Sequence, residues 1–196
     1  FRKRLLEVHK SNIRDYNALP QVDEIEINED WEILIPENAG RVILTAARDL
    51  QDYFFTSMGL SLRLRKSLNI KNESENGFNK IIYITKDMSQ KYGQCLDTSR
   101  SYHFICAENR IVLCGYDERG TAQASYYLED LMNFRSAPIV KKGDECRKPL
   151  FSPRMVHSGY GLDMFPDAHL NAIAHAGMDA ILVFTKDAHI TPHGHL

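Results

Sequence analysis

No apolar run in this 196-residue sequence approaches the roughly 18 residues that a membrane-spanning helix needs, so no membrane partner is expected. An excess of one charge is also missing, because 24 Lys and Arg face 26 Asp and Glu and leave a net charge of −2 with mixed signs along the chain. Such a chain has no overall field to hold a polyanion, and nucleic acid is not an expected partner. None of the four cysteines, Cys95, Cys106, Cys114 and Cys146, belongs to a C-x-x-C pair. An even count is no disulfide framework by itself in a chain of this length, and reduced structural thiols are the expectation. The H-E-x-x-H signature of helix-borne zinc proteases is absent, which removes that chemistry. No internal repeat or low-complexity tract breaks the chain. The sequence opens at Phe1 rather than at methionine, and FRKRLLEVHK is too short and too charged for the apolar core of a signal peptide. Upstream residues are therefore expected to be missing, and the compartment stays open with a slight lean to the cytoplasm.

What is present has the balance of a globular protein, 43% hydrophobic and 26% charged, with room for one ordinary domain plus a fragment or for one larger domain. Leu5, Leu6, Val8, Ile13 and Tyr16 recur at loosely helical spacing and predict a leading amphipathic helix over 4–17. From Glu24 the pattern alternates, with Ile25, Ile27, Ile33 and Ile35 as one strand or as two around 28–30. Asn38 is placed to cap a helix carrying Val42, Ile43, Ala46, Leu50, Tyr53 and Phe54, which Gly59 stops. Leu60, Leu62 and Leu64 alternate with Ser61, Arg63 and Arg65 as a half-buried strand, and 81–85 is the next. Residues 102–106 and 110–115 are a hairpin in which Cys114 opposes His103 and Cys106 opposes Ile111, so these two cysteines should not bridge.

Asp117 begins a helix running through Met132 with Ala124, Tyr127, Leu128 and Leu131 on one face. Asp117 and Glu118 are adjacent carboxylates and invite an acid/base reading, but a helix start needs a capping acceptor and an acidic first turn in any case, and the cap is preferred. Two prolines, Lys141–Lys142 and Gly143 make 136–149 read as a linker with a solvated basic pair. Strand, helix and strand at 154–159, 166–176 and 180–185 then form a βαβ unit.

The element order, and above all IVLCGYDERGTAQASYYLEDLM at 111–132, resembles the non-catalytic domain that precedes the barrel in glycoside hydrolase family 20 and in the related α-glucuronidases. In that family a hairpin strand ends in a turn with a glycine near the start of a helix that packs on the sheet, and a linker enters the first barrel strand. The matching pieces are 111–115, Gly120, the helix through Met132 and 152–160, and the likeness in element order runs over roughly residues 24–185. The resemblance implies an α+β fold, a mixed sheet covered by two helices (hexosaminidase domain-2-like), followed by the first βαβ of a truncated (β/α)8 barrel. The segments are a leading helix at 1–23, the accessory domain at 24–135, a linker at 136–149 and the barrel start at 150–196. A barrel of about 250 residues cannot be closed by that last segment.

By the same resemblance the parent is a glycosidase acting on O-glycosyl bonds, β-N-acetylhexosaminidase-like or related, of which this chain is an inactive N-terminal part. Its partner is carbohydrate held through the missing barrel. The family's adjacent Asp–Glu pair belongs late in the barrel, past Leu196, so no catalytic residue is assigned, and no cofactor or metal is implied. Oligomeric state is not readable. Barrel enzymes build their sites at the C-terminal ends of strands. The eligible substrate-binding residues are therefore His157, Tyr160 and Asp163 after the first strand, with Lys186 and Asp187 weaker candidates after the second. Tyr160 offers a ring face and Asp163 an acceptor for sugar hydroxyls. The family's sugar-holding arginine stands near the end of its first strand, whereas Arg154 stands near the beginning here. His189, His193 and His195 have a spacing that only a helix would focus on a metal, and Pro192 and Gly194 argue against one, so no zinc is assigned. Gly159-Tyr160-Gly161 lacks the spacing of a phosphate loop and reads as a flexible exit from the strand. Two rivals stand beside this reading. One is a non-catalytic carbohydrate-binding or protein-interaction module, which a row of exposed aromatics on a strand would favour. The other is a single α/β domain, in which 150–185 would pair into the upstream sheet.

Overall fold

Three short apolar runs, WEILIP, KIIYIT and RIVLCG, form the parallel centre of a six-stranded sheet, where burial on both faces suits near-continuous hydrophobic strands. The computed structural model describes residues 7–68, 80–86, 92–157 and 166–183. The chain divides into two compact units, one spanning His9–Pro149 and the other holding Leu150–Leu196.

The first unit runs β1 (Glu24–Glu26), β2 (Trp31–Pro36), α1 (Arg41–Met58), β3 (Arg63–Ser67), β4 (Lys80–Thr85), β5 (Tyr102–Ala107), β6 (Arg110–Gly115), α2 (Glu118–Arg135), β7 (Ile139–Lys141) and β8 (Gly143–Arg147). The sheet order is β3-β2-β4-β6-β5-β8, parallel from β3 to β6 and antiparallel through β5 to β8. It is a mixed sheet in an α+β unit. Ile33, Ile35, Ile82, Ile84, Ile111 and Leu113 point to the face where α1 and α2 lie, and meet Leu50, Phe54, Leu128 and Met132. Leu34, Ile81, Tyr83, Val112 and Cys114 point to the opposite face, where Tyr92 and Leu96 pack on them. The edge strands β3 and β8 are rich in charge, which discourages further strand addition. β1 and β7 make a separate antiparallel ribbon whose Ile25 and Val140 join the helix-side core.

The hairpin register is the one read from the sequence, with His103 opposite Cys114 and Cys106 opposite Ile111. Gly59, at φ 66°, ends α1, and the Leu60 N–H returns to the Phe54 carbonyl at 2.9 Å. Other elements differ from expectation. The helix predicted over 4–17 does not form among its described residues, which run as turns and extended chain. A helix that short is marginal alone, and here the α1 terminus offers unpaired carbonyls instead. Asn12 N–H reaches Thr56 O at 3.3 Å, Arg14 Nη1 reaches Met58 O at 3.1 Å, and Asp15 N–H reaches Ser136 O at the end of α2 at 2.6 Å.

The segment 136–149 is not a linker, because β7 and β8 lie in it and β8 pairs with β5. Its basic pair is engaged as well, Lys141 with Asp23 at 3.0 Å and Lys142 with Glu108. Asn38 does not cap α1, whose N-cap is Gly40. The strand expected at Leu60 starts at Arg63 instead, although Leu60 and Leu62 are buried as predicted.

In the second unit β9 (Met155–His157), α3 (Asp167–His175) and β10 (Ala180–Leu182) form a βαβ with the two strands parallel in a sheet of their own. The strands do not extend the six-stranded sheet, so the reading of a single α/β domain is corrected.

Two glycines permit the close approach of β6, α2 and the start of β5. A Cβ on Gly115 would strike the backbone of Asp117 and Gly120, and one on Gly120 would strike the Ser101 carbonyl. Gly120→Ala is expected to lower unfolding stability by about 1–3 kcal/mol, the usual cost of overpacking against atoms that cannot move aside. Gly143→Ala, where a Cβ meets nothing within 4 Å, should be near neutral, and urea titration of the two variants checks both.

Candidate functional site

The residues proposed from barrel logic belong to the second unit. His157 is the last residue of β9, exposed, and paired in register with Leu182 of β10, so it stands at the C-terminal end of both strands. Tyr160, Asp163, Lys186, Asp187, the Gly159-Tyr160-Gly161 segment and the three terminal histidines lie outside the described residues. Arg154 is at the opposite end. Its guanidinium meets both oxygens of Asp179, at 3.3 and 3.4 Å, and its backbone N–H reaches Asp179 Oδ2 at 3.1 Å. The Asp179 N–H returns to the Arg154 carbonyl at 2.8 Å. This forked clasp joins the entries of the two parallel strands.

The adjacent carboxylates at the start of α2 are structural. Asp117 accepts from the Gly120 N–H at 2.7 Å, from Ser99 Oγ at 2.6 Å and from the Arg100 N–H at 3.1 Å. Burial pushes its carboxyl upward, but these hydrogen bonds prevail and hold it below the ordinary aspartate value. Glu118 points the other way, accepting from the Val42 N–H at 3.3 Å in the first turn of α1 and pairing with Lys86 at 3.6 Å. One carboxylate thus caps α2, and its neighbour serves the helix beside it, which has no side-chain cap of its own.

Three groupings escaped the sequence reading. His9 lies among Asp49 at 3.4 Å, the exposed Asp52 at 3.8 Å and Glu129 at 3.9 Å, so the segment before β1 meets both helices through an imidazole and three carboxylates. The helical period read over 4–17 carried no signal for it. An open depression of about 360 Å³ lies between α1 and the approach to β3, lined by Arg48, Gln51, Asp52, Phe55, Ser61 and Leu62. Third, Cys95 and Cys146 form a disulfide across 51 residues, which corrects the expectation of four reduced thiols. Cys106 and Cys114 remain buried thiols, and burial pushes Cys106 up to about 12. Beside the disulfide, His103 places Nδ1 2.8 Å from the Tyr92 carbonyl and Nε2 2.6 Å from Asp144 Oδ1.

No family model matches this sequence, and no curated protein sequence matches it. Solved structures do. A family GH115 4-O-methyl-alpha-glucuronidase, BtGH115A, with specificity for decorated arabinogalactans, superposes with a TM-score of 0.57 at 12% identity, covering 80% of this chain and 25% of that one. CpGH84D superposes at 0.53 with 9% identity, covering 71% and 24%. A GH138 enzyme targeting pectin rhamnogalacturonan II gives 0.45 at 12% identity over 65% and 16%. The chain therefore spans a quarter or less of the chains it resembles, and its fold is one found within glycoside hydrolases.

Because the folded Asp117 carboxyl sits below its ordinary value of 3.8, the cap stabilises above that value and its contribution is lost as pH falls through the lower, folded value. Asp117→Ala should cost about 1–2 kcal/mol at neutral pH. In urea titrations across pH the gap from the parent protein should narrow below about pH 4.

Proposed function

We propose that this chain is the N-terminal, non-catalytic domain and barrel start of a glycoside hydrolase acting on O-glycosyl bonds. The observation that carries the reading is that β9, α3 and β10 form a parallel unit with its own sheet, following an α+β unit whose mixed sheet is covered by two helices. The superpositions on glycoside hydrolases support the same class. The finer reading places the parent among β-N-acetylhexosaminidase-like enzymes or their relatives, and an α-glucuronidase like the GH115 neighbour is the nearest variant of it.

In such an enzyme the glycosidic bond is cleaved between carboxyl groups that flank it, one protonating the departing oxygen while the opposite face of the sugar is attacked. In the family 20 branch the attacking group is the substrate's own acetamido oxygen rather than a second carboxylate. This chain supplies neither carboxyl group. His157, Tyr160 and Asp163 belong to the sugar pocket at the strand ends. Tyr160 stacks on the ring, while Asp163 and His157 hold hydroxyl groups. The rival carbohydrate-binding module gains nothing from the structure, since among the described residues no strand carries a row of exposed aromatics.

The longer gene product, assayed on a panel of aryl glycosides, should hydrolyse at least one of them, while the 196-residue chain alone hydrolyses none. Within that enzyme Tyr160→Ala or Asp163→Ala should reduce kcat/KM by about tenfold or more, equivalent to about 1.4 kcal/mol of lost transition-state binding. Unchanged kinetics for both variants would remove these residues from the pocket. A downstream sequence without alternating strands and helices would remove the barrel.

A further inference from the structure

Among the described residues, the face of the six-stranded sheet opposite α1 and α2 has a cover of a different kind. Residues 92–101 cross it on the way into β5, with Tyr92 and Leu96 buried against Leu34, Ile81, Tyr83 and Val112. The polar ties of this segment include Asp97 to Lys148 at 3.0 Å and Ser99 and Arg100 to Asp117. The first is an exposed ion pair, of a type worth little in water. The covalent tie is Cys95 to Cys146, whose Cα atoms stand 6.2 Å apart, inside the span a disulfide bridges. Cys146 is on β8, the edge strand, in register opposite His103 of β5. One bond thus fixes both the cover and the last strand of the sheet.

The same residues raise a competing chemistry, since Cys95, Cys146 and His103 bring their ligand atoms within 4.8 Å of one another. Two thiolates and an imidazole are a common start for a zinc site. The imidazole decides against it. Nδ1 faces the Tyr92 carbonyl and Nε2 the Asp144 carboxylate, so both ring nitrogens are turned to protein oxygens rather than to a metal beside the sulfurs.

We propose that Cys95–Cys146 is a permanent structural bridge, not a metal site, and that the chain matures in an oxidising compartment where such a bridge forms and persists. In its formation the two thiols lose two protons and two electrons, and one Sγ–Sγ bond is made. The electrons pass by thiol–disulfide exchange, through a mixed disulfide, to an oxidising dithiol–disulfide catalyst whose own disulfide is reduced. The bridge closes a long loop of the unfolded chain and so restricts it strongly. This inference is independent of the glycosidase reading.

The test uses the 196-residue chain made once in a bacterial periplasm and once in a reducing cytosol, each denatured and alkylated with N-ethylmaleimide without reductant. The periplasmic protein should take up two adducts, on Cys106 and Cys114, and yield a proteolytic peptide joining Cys95 to Cys146. The cytosolic protein should take up four. Its midpoint of thermal unfolding should be lower by about 10 °C, and protease should cut it first within 92–101. The Cys95→Ser/Cys146→Ser variant made in the periplasm should match the cytosolic protein in unfolding midpoint and first protease cut; if it fails to fold, the adduct count on the parent protein still decides. Four adducts on the periplasmic protein, a bridge involving Cys106 or Cys114, or one equivalent of zinc bound to reduced protein at no loss of thermal stability would each overturn the proposal.

Discussion

The Asp117 carboxylate holds two parts of the upstream unit together at one point. It accepts from the first turn of α2 through Gly120, and from the segment entering β5 through Ser99 and Arg100. Its neighbour Glu118 extends the junction to the first turn of α1. The geometry works because Gly115 and Gly120 bear no side chain where β6, α2 and Ser101 meet backbone to backbone. From this junction α2 descends over the sheet beside α1, and the larger core follows: Phe54, Leu128 and Met132 reach the isoleucines of β2 and β4.

The two faces of the sheet are covered by different means. Two amphipathic helices cover one and bury enough apolar surface to need no covalent help. The other has the smaller cluster around Tyr83 and Val112, roofed by part of an irregular segment. An irregular roof brings few backbone hydrogen bonds of its own, and a crosslink between it and the edge strand restrains both. The orientation of His103, held from both nitrogens, belongs to the same arrangement.

The second unit shows how little sequence is needed to begin a parallel architecture. Three residues pair on each of β9 and β10, and the Arg154–Asp179 clasp adds a forked, largely buried ion pair at their entry. The clasp commits Arg154 to the entry of β9, and His157 stands at the exits of both strands.

Features governed by near neighbours were legible in the sequence. The hairpin register follows from a short turn, the Asp117 cap from a carboxylate placed before an apolar period, and the βαβ order from the change between strand and helix periods. All three depend on contacts a few residues apart, where side-chain type dictates geometry. Features that depend on distant partners were not legible. The residues before β1 have a helical period yet spend their hydrogen-bonding groups on the open ends of α1 and α2. The polar stretch after α2 reads as a linker yet supplies β8, because an edge strand carries no apolar pattern to announce it. Cys95 and Cys146 are unremarkable until β8 docks on β5 and brings them together. The sequence by itself determined the hairpin, the two long helices and the βαβ order. Tertiary structure decided which distant groups meet, because the pairing of an exposed edge, a free helix terminus or a lone thiol is set by what the rest of the chain brings within bonding distance.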